Sequence, residues 1–327
     1  MLVGNTIKSL VSKNSTDLDG ISSKLLKAVS YEIERPLAHI FSLSLSTGIF
    51  PEALKSTRVI PIHKAGDTTN CDNYRPISLV NAFSKILEKI VSTKLSLHLE
   101  QNNLIYEHQY GFLKGKSTEH ALLHITNKIG QALNENKYCV GVFLDLKKAF
   151  DVVPHSILLK KLEKLGITGT ALAWFESYLS NRTQKVDING HLSDTALLDA
   201  LSVFQGTSLG PILFLCFIND LPRATDLFSI LYADDTTGLD SDSDLQTLMT
   251  RVSMGVVDSF NFEDKLRIEG GVRDVRIQHQ FRVFVYLFRG DMKDYVFCFA
   301  DVKGHSVTLK PNGHFSKFHA NPSHESL

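Results

Sequence analysis

Two adjacent carboxylates, Asp234 and Asp235, are the residues of this chain whose types and spacing best suit chemistry. They follow the short apolar run from Ile230 to Ala233, and a run that ends in a small residue and two acids predicts a strand, a tight turn and a second strand. Carboxylate oxygens suit Mg²⁺, which keeps waters and substrate phosphates in its coordination shell. The alternative is an ordinary polar hairpin turn, because Asp is favoured in turns for its local hydrogen bonds.

A third acid, Asp145, ends the nearly continuous apolar run from Tyr138 to Leu144. Such a run predicts a strand that is buried on both faces. Because an unpartnered charge is costly to bury, Asp145 either lies at the solvent-exposed rim of the sheet or belongs to a site that uses its charge. Phe150 follows in a turn of helical character.

Two cations, Lys64 and Arg75, lie at the end of a predicted hairpin. The segment from Arg58 to Lys64 is typical of an extended edge strand, since Pro61 cannot donate to a ladder. Pro76 favours an extended conformation at Arg75. A guanidinium and an ammonium held close together would bind a triphosphate well, and a pair of ordinary solvated cations is the alternative.

Two loops rich in small residues precede predicted helices. The first carries Lys114 and Lys116 and ends at Ser117 or Thr118, either of which can cap the helix that follows. A helix N-terminus beside two lysines could receive a phosphate backbone, and a plain helix cap is an equally good interpretation. The second loop, Gln205 to Pro211, exposes amides and hydroxyls that could contact a base or a phosphate, and a glycine-rich helix entry is the alternative.

The elements that must position these residues follow from hydrophobic periodicity. Apolar residues recur at spacings of three and four between Asn81 and Glu100, which predicts a long helix that belongs to the core. The same spacing predicts helices over Leu122 to Leu133, Ile157 to Leu165 and Leu245 to Phe260.

Composition bounds the class of protein. With 327 residues, of which 43% are hydrophobic, the chain has enough apolar side chains to bury a core. Basic and acidic residues number 35 each, so there is no overall nucleic-acid signal and any site for a polyanion must be a local patch.

Location and redox state follow from the same survey. No apolar run reaches the length of a membrane span, and Met1 to Asn14 lacks the apolar core of a secretory signal. We therefore expect an intracellular protein of the nucleus or cytoplasm that is not secreted. The four cysteines show neither CxxC spacing nor a paired framework, which favours buried thiols over disulfides or zinc ligands: Cys71, Cys139, Cys216 and Cys298.

Taken together, the motifs resemble the reverse transcriptases of non-LTR, LINE-like retrotransposons, and they are similar in particular to the jockey-type elements. The resemblance spans residues 7–262 and rests on motifs that occur in the family's order: Ile60 to Leu79, Gln109 to Thr118, Leu144 to Asp151, Gln205 to Pro211 and Tyr232 to Asp235. RNA-copying RNA polymerases usually carry an acid where this chain has Phe150 and glycine where it has Ala233. Both residues therefore favour DNA synthesis, and the motif around Asn73 to Leu79 favours the LINE side over the group II intron maturases.

The resemblance implies an α+β fold, namely a right-hand polymerase with fingers before Asp145 and a palm built on an antiparallel sheet flanked by helices. By this analogy the catalytic acids are Asp145, Asp234 and Asp235, and the main-chain carbonyl of Leu146 completes a metal shell. The implied cofactor is a pair of Mg²⁺ ions, one at the primer 3′-hydroxyl and one at the nucleotide triphosphate.

The resemblance also implies the contacts with substrates. Lys64 and Arg75 would bind the incoming triphosphate, and Phe150 is similar to the aromatic steric gate that excludes a ribose 2′-hydroxyl. Gln205 and Gly206 would lie against the template or the nucleotide. The expected partners are an RNA template, a DNA primer and deoxynucleoside triphosphates, with no membrane, and the oligomeric state is not indicated.

Several departures from the family pattern bear on function. Phe204 stands where the family usually has proline, and Leu113 to Lys116 stand where it has Arg-Pro-Gly-Arg. We therefore expect weaker nucleic-acid contacts at Lys114 and Lys116. After the helix near Phe260 the sequence shows neither the family's Trp and Asn-x-x-Lys-Thr segment nor a recognisable thumb, and the family's endonuclease has no counterpart in it.

From Glu263 onward, alternating apolar residues and turns predict a β-rich tail of unknown origin. We therefore expect fingers and palm over residues 1–262, the tail over 263–314 and a disordered end over 315–327. This arrangement indicates a truncated or recombined copy of an element. Two functions remain open: an RNA-directed DNA polymerase, or a catalytically inactive retroelement remnant that at most binds nucleic acid.

Overall fold

The computed structural model describes residues 2–146, 149–198, 200–204, 206–269, 281–289, 296–303 and 306–311, so the expectation for residues 315–327 lies outside them. The α-helices are α1 (Leu2–Ser9), α2 (Ser23–Ala28), α3 (Ser30–Thr47), α4 (Ala82–Gln101), α5 (Thr118–Asn134), α6 (His155–Lys164), α7 (Gly169–Leu179), α8 (Gly210–Ile218) and α9 (Leu245–Glu269). The strands are β1 (Ser56–His63), β2 (Tyr74–Val80), β3 (Tyr138–Leu146), β4 (Thr183–Ile188), β5 (His191–Leu192), β6 (Ala196–Leu197), β7 (Phe228–Tyr232), β8 (Asp235–Asp242), β9 (Phe281–Phe288), β10 (Val296–Lys303) and β11 (Ser306–Pro311). None of the helices in these described ranges is long and apolar enough to cross a membrane.

The chain divides into two compact units that are each built from two segments. The first unit comprises Met1–Leu104 and Phe150–Phe217, and the second comprises Ile105–Ala149 and Ile218–Leu327. Each unit contains its own sheet, so the fold is a mixture of helices and sheets of the α+β kind.

The sheet of the first unit has the strand order β2-β1-β4-β5, with β6 paired to β4. β1 and β2 form the antiparallel hairpin that the sequence predicts. The prediction that β1 is an edge strand is wrong, because β1 also pairs in parallel with β4. That second pairing covers only Ser56 to Val59 and stops before Pro61, so the N–H that proline lacks is not needed on that side.

The long helix predicted between Asn81 and Glu100 is confirmed as α4. Asn81 is its N-cap, since the Oδ1 atom accepts hydrogen bonds from the backbone N–H groups of Phe83 at 2.9 Å and Ser84 at 3.3 Å. The apolar stripe of α4 is buried as its periodicity indicates: Ile86, Leu87, Ile90, Val91, Leu95 and Leu99.

The sheet of the second unit has the strand order β7-β8-β3-β9-β10-β11, and every neighbouring pair is antiparallel. β3 is therefore an inner strand with β8 on one side and β9 on the other. Strands from both sides of residue 262 share this one sheet, and α9 runs through that position to Glu269. The predicted domain boundary at residue 262 stays a prediction.

Both faces of β3 are covered, as its apolar run predicts. One face packs against α9 in a buried cluster that contains Val140, Val142, Leu144, Leu248, Val252 and Val256. Side chains alternate along a strand, so Gly141 faces the other way, where it is paired with Leu239. Leu239 lies in a second buried cluster with Ala121 of α5. The helices thus cover β3, and Asp145 near the end of the strand is exposed.

The cysteine prediction is confirmed in part. Cys139 and Cys216 are buried free thiols, and burial raises the pKa of Cys139 to about 11 and that of Cys216 to about 12. The prediction is wrong for Cys71, which is free but exposed, because it lies between β1 and β2 at the end of a stretch, residues 62–71, that is exposed throughout. The side chain of Cys298 lies outside the described residues.

Candidate active site

The two adjacent acids lie at a tight turn between β7 and β8. Tyr232 is paired with Asp235 across this hairpin, so Ala233 and Asp234 form the turn. Ala233 has the left-handed φ of 59°, which residues with a Cβ adopt uncommonly, and it is only 5% exposed. The strand, turn and second strand form as the sequence predicts.

The pairing of β3 with β8 brings the third acid to the same edge of the sheet. Leu144 is paired with Thr236, so the next residue, Asp145, lies beside the start of β8, where Asp235 stands. Asp145 and Asp235 are exposed and Asp234 is half-buried. Although Asp235 reaches solvent, partial desolvation by the surrounding protein atoms raises its pKa, and the negative charges of Asp234 and Asp145 raise it further. The three carboxylates, hereafter the acid cluster, therefore interact with one another.

The donor chemistry of the acid cluster fits Mg²⁺. All its donors are oxygens, and a bound cation would relieve the repulsion that raises the pKa of Asp235. As the side chains stand, the described part of the chain contains no group of three or more His, Cys, Asp or Glu residues arranged to hold a metal ion. Mg²⁺ commonly binds through one or two carboxylates, while waters and substrate phosphates complete its shell. The acid cluster thus fits the protein's share of a site that a substrate would complete.

Leu146 and Phe150 follow Asp145 in the chain and lie in different units. Leu146 ends β3 in the second unit, where its backbone is paired with Phe281 of β9. Phe150 belongs to the first unit and stacks on Phe214 of α8, with ring centroids 4.6 Å apart and an interplanar angle of 20°. Its carbonyl accepts a 2.8 Å hydrogen bond from the backbone N–H of Val203, so the aromatic ring is held from both its backbone and its face.

The structure places Lys64 and Arg75 at the loop end of the β1–β2 hairpin. Arg75 is paired with Ile62, two residues before Lys64, and the N–H of Lys64 donates to the carbonyl of Asn73 at 2.8 Å. Residues that are opposed or diagonal across an antiparallel pair lie on the same face, so both cations project from one side of the hairpin. Both are exposed.

Gly206 occupies a position that only glycine fits. Its φ of 96° is in the left-handed region, and a Cβ on it would lie 2.8 Å from the carbonyl oxygen of Ser78. Two residues on, the N–H of Ser208 donates to Oε2 of Glu88 at 3.1 Å. Gln205, the other residue predicted to contact the template or nucleotide, lies outside the described residues.

Lys114 and Lys116 have different environments. The Nζ atom of Lys116 donates to the carbonyl of Glu107 and lies 4.9 Å from the centre of the Tyr110 ring, and burial lowers the pKa of Lys116. Lys116 thus helps to hold its own loop. Lys114 is exposed, and Ser117 is the N-cap of α5, which confirms the predicted cap.

Gln109 is a residue that sequence reasoning missed. It is only 2% exposed, and its side-chain carbonyl accepts a hydrogen bond from the backbone of Ala233 at the acid turn. No periodicity marks a buried amide in a loop. The sequence feature that could have indicated Gln109 is its position two residues before Gly111, within the Gln109 to Thr118 motif on which the family resemblance rests.

Comparison with known proteins identifies a family whose model matches this chain. Residues 62–259 match the family model described as "Reverse transcriptase (RNA-dependent DNA polymerase)". The matched range contains the acid cluster as well as Lys64, Arg75, Phe150 and Gly206.

Individual relatives point the same way. The chain is 34% identical over 246 residues to "RNA-directed DNA polymerase from mobile element jockey" of Drosophila melanogaster, covering 72% of this chain and 27% of that protein. It is 34% identical over 217 residues to "Probable RNA-directed DNA polymerase from transposon BS" of the same species, covering 66% of this chain and 24% of that protein. It is 28% identical over 257 residues to "Retrovirus-related Pol polyprotein from type-1 retrotransposable element R1" of Bradysia coprophila, covering 76% of this chain and 25% of that protein. The chain spans about a quarter of the length of these relatives.

Proposed function

This chain belongs to the reverse transcriptase (RNA-dependent DNA polymerase) family, and we propose that it is the polymerase part of a non-LTR retrotransposon protein. The proposed reaction adds deoxynucleotides to the 3′-hydroxyl of a primer under the direction of an RNA template. The observation that carries the proposal is the acid cluster, which joins Asp145 of β3 to Asp234 and Asp235 of the β7–β8 turn within the matched range.

In this proposal the antiparallel sheet of the second unit, with α5 and α9 against it, is the palm. The part of the first unit that precedes Asp145 in the chain, including the β1–β2 hairpin, supplies the fingers. The acids at the end of the buried β3 and at the adjacent turn support this assignment, because a rigid sheet holds catalytic groups more accurately than a loop does.

The acid cluster and the carbonyl of Leu146 would hold two Mg²⁺ ions. When bound, these ions lower the pKa of the primer 3′-hydroxyl and neutralise charge on the attacking and leaving oxygens of the phosphoryl transfer. The carboxylates would bind at one edge of the sheet, since Asp145 is the next-to-last residue of β3 and Asp235 begins the neighbouring β8. Their mutual repulsion favours a divalent cation over an empty site.

The remaining assignments concern the substrates. Lys64 and Arg75 would bind the triphosphate of the deoxynucleotide, which their shared face of the hairpin supports. Phe150 would exclude a ribose 2′-hydroxyl, and its stacking on Phe214 would keep the ring in place. Gln205 and Gly206 would lie against the template or nucleotide. Exposed Lys114 would contact the nucleic-acid backbone, and we place the activity inside the cell, where RNA templates and DNA primers occur.

The proposal is tested by primer extension with the purified chain, an RNA template, a DNA primer, deoxynucleoside triphosphates and Mg²⁺. We expect template-directed extension by the wild type and a loss of about a hundredfold or more with Asp234→Asn. Asp226→Asn is the matched control, because Asp226 is exposed and lies before β7, at the end of that strand away from the turn. The control should extend like the wild type.

Two results would contradict the proposal. One is a wild type that incorporates nothing, and the other is an Asp234→Asn variant that extends as well as the wild type. Salt-sensitive RNA binding without extension would instead support the catalytically inactive remnant.

A further inference from the structure

The acid turn does not stand alone, because a second loop lies directly against it. The backbone N–H of Leu231 donates to the carbonyl of His108 at 3.0 Å, and the N–H of Tyr110 donates to the carbonyl of Leu231 at 2.8 Å. These two bonds form a short parallel bridge between Gln109 and β7. β7 is the terminal strand of its sheet, so the loop covers the edge that the described strands leave open.

The side chain of Gln109 extends this contact to the turn itself. Its Oε1 atom accepts hydrogen bonds from the backbone N–H of Gly111 at 2.8 Å and from the backbone N–H of Ala233 at 3.0 Å. Both partners are N–H donors, so the atom that faces them must be the carbonyl oxygen and not the amide nitrogen. One buried acceptor therefore joins the loop to the turn.

The close approach of the two segments is fixed by a glycine. A Cβ on Gly111 would overlap the backbone nitrogen of Ala233 and lie 2.8 Å from its Cα. Gly111 thus permits the backbone of the loop to touch the turn, and Gln109 takes up the N–H that the left-handed Ala233 directs toward the loop.

We propose that Gln109 is a positioning residue for the acid cluster, acting through the backbone of Ala233 on the direction of the Asp234 carboxylate. The inference rests on the proposed polymerase function. The N–H that Gln109 holds belongs to the peptide between Tyr232 and Ala233, so Gln109 fixes the backbone one residue before Asp234 and thereby the direction in which the Asp234 side chain leaves the chain. Gln109 touches no substrate and supplies no proton.

The first arm of the test measures structure in the free protein, without metal or nucleic acid. Gln109→Met keeps the length of the side chain and removes the acceptor. We expect amide hydrogen exchange at Gly111 and Ala233 to rise by tenfold or more, while exchange in the middle of β3 stays at the wild-type rate. Gln246→Met is the matched control, because Gln246 is exposed on α9 of the same unit.

The second arm measures primer extension with Mg²⁺. We expect Gln109→Met to lower kcat by tenfold or more and to leave KM for the deoxynucleotide within twofold, because the residue orients an acid and does not bind the nucleotide. Gly111→Ala should give the same separation of kcat from KM, since its Cβ would displace Ala233. Gly130→Ala is its control, as a Cβ there meets no atom within 4 Å.

The outcomes separate this inference from the proposed function. Unchanged exchange at Ala233, or exchange that rises equally throughout the second unit, would overturn the inference whether or not the chain is active. Increased exchange confined to the turn, with kcat unchanged in an active chain, would also overturn it. A wild type without activity would refute the proposed function, and the exchange measurement would still decide whether Gln109 holds the turn.

Discussion

At the scale of single residues, the first unit contains a buried acid that the sequence analysis did not single out. Glu88 of α4 is fully buried, and it accepts hydrogen bonds from the Oγ of Ser84 at 2.9 Å and the N–H of Ser208 at 3.1 Å. Burial raises the pKa of Glu88, although the charge of Arg182 and these hydrogen bonds act to lower it. Through Ser208, Glu88 fixes the chain next to Gly206, where the proposed nucleotide contacts lie.

The raised pKa of Glu88 predicts how the stability of the protein changes with pH. Between the ordinary glutamate pKa of 4.5 and the raised pKa of Glu88, the folded state holds a proton that the unfolded chain has lost. The contribution of Glu88 to the free energy of unfolding is therefore fully present below pH 4.5 and is lost as the pH rises through the raised pKa. Glu88→Gln keeps an acceptor for Ser208 and cannot ionise. Between acid and neutral pH, we expect the free energy of unfolding of the wild type, measured with urea, to fall by on the order of 1 kcal/mol or more relative to that of this variant. Parallel pH profiles for the two proteins would contradict the prediction.

At the scale of elements, α4 connects this acid to the N-terminal segment of the chain. Its N-cap Asn81 also donates through Nδ2 to Oδ2 of Asp19 at 2.7 Å. The N–H of Ala82 donates to Oδ2 of Asp17, also at 2.7 Å. Asp17 and Asn81 are both buried, so the first turn of α4 is satisfied by two side chains that are shielded from water.

Removal of the cap should therefore destabilise the first unit. We expect Asn81→Ala to lower the free energy of unfolding by about 1–2 kcal/mol, because the N–H groups of Phe83 and Ser84 lose their acceptor in a buried place. Asn81→Ser is the matched variant, since a serine hydroxyl can still cap the helix. Its free energy of unfolding, measured with urea, should fall by less than that of Asn81→Ala. Equal losses would show that the bond to Asp19, and not the cap, carries the effect.

Elements were predictable wherever the signal was local. The buried β3, the turn at Asp234, the helix after Asn81 and the cap at Ser117 each follow from periodicity or from one polar side chain. The inner position of β1 was not predictable, because Pro61 restricts hydrogen bonds only at its own residue and says nothing about pairing further along the strand. The role of Gln109 was hidden for the same reason, since it depends on a partner 124 residues away.

At the scale of the whole molecule, the sequence predicts a β-rich tail of unknown origin, and a strand from that tail pairs with β3. β9 pairs with β3 from Cys139 to Leu146, on the side of β3 opposite β8, and β10 and β11 extend the same sheet. Val285 of β9 is 4% exposed and belongs to the buried cluster between the sheet and α9. Such long-range pairing leaves no trace in local periodicity, so composition alone could not connect these strands to the strand that carries Asp145.

This pairing predicts that the strands after α9 stabilise the sheet that carries the acid cluster. A chain that ends at Glu269 would lack β9, β10 and β11, so one edge of β3 would lose its hydrogen bonds and the cluster against α9 would lose Val285. The loss of this one buried side chain should lower the free energy of unfolding by about 1.5–3 kcal/mol. Without β9, β3 would become an exposed edge strand, which also favours association between chains. A chain that ends at Pro311 keeps all three strands and is the matched control. We expect thermal unfolding of the shorter chain to shift down by several degrees, with aggregation on heating, whereas equal unfolding of the two chains would show that the tail does not support the sheet.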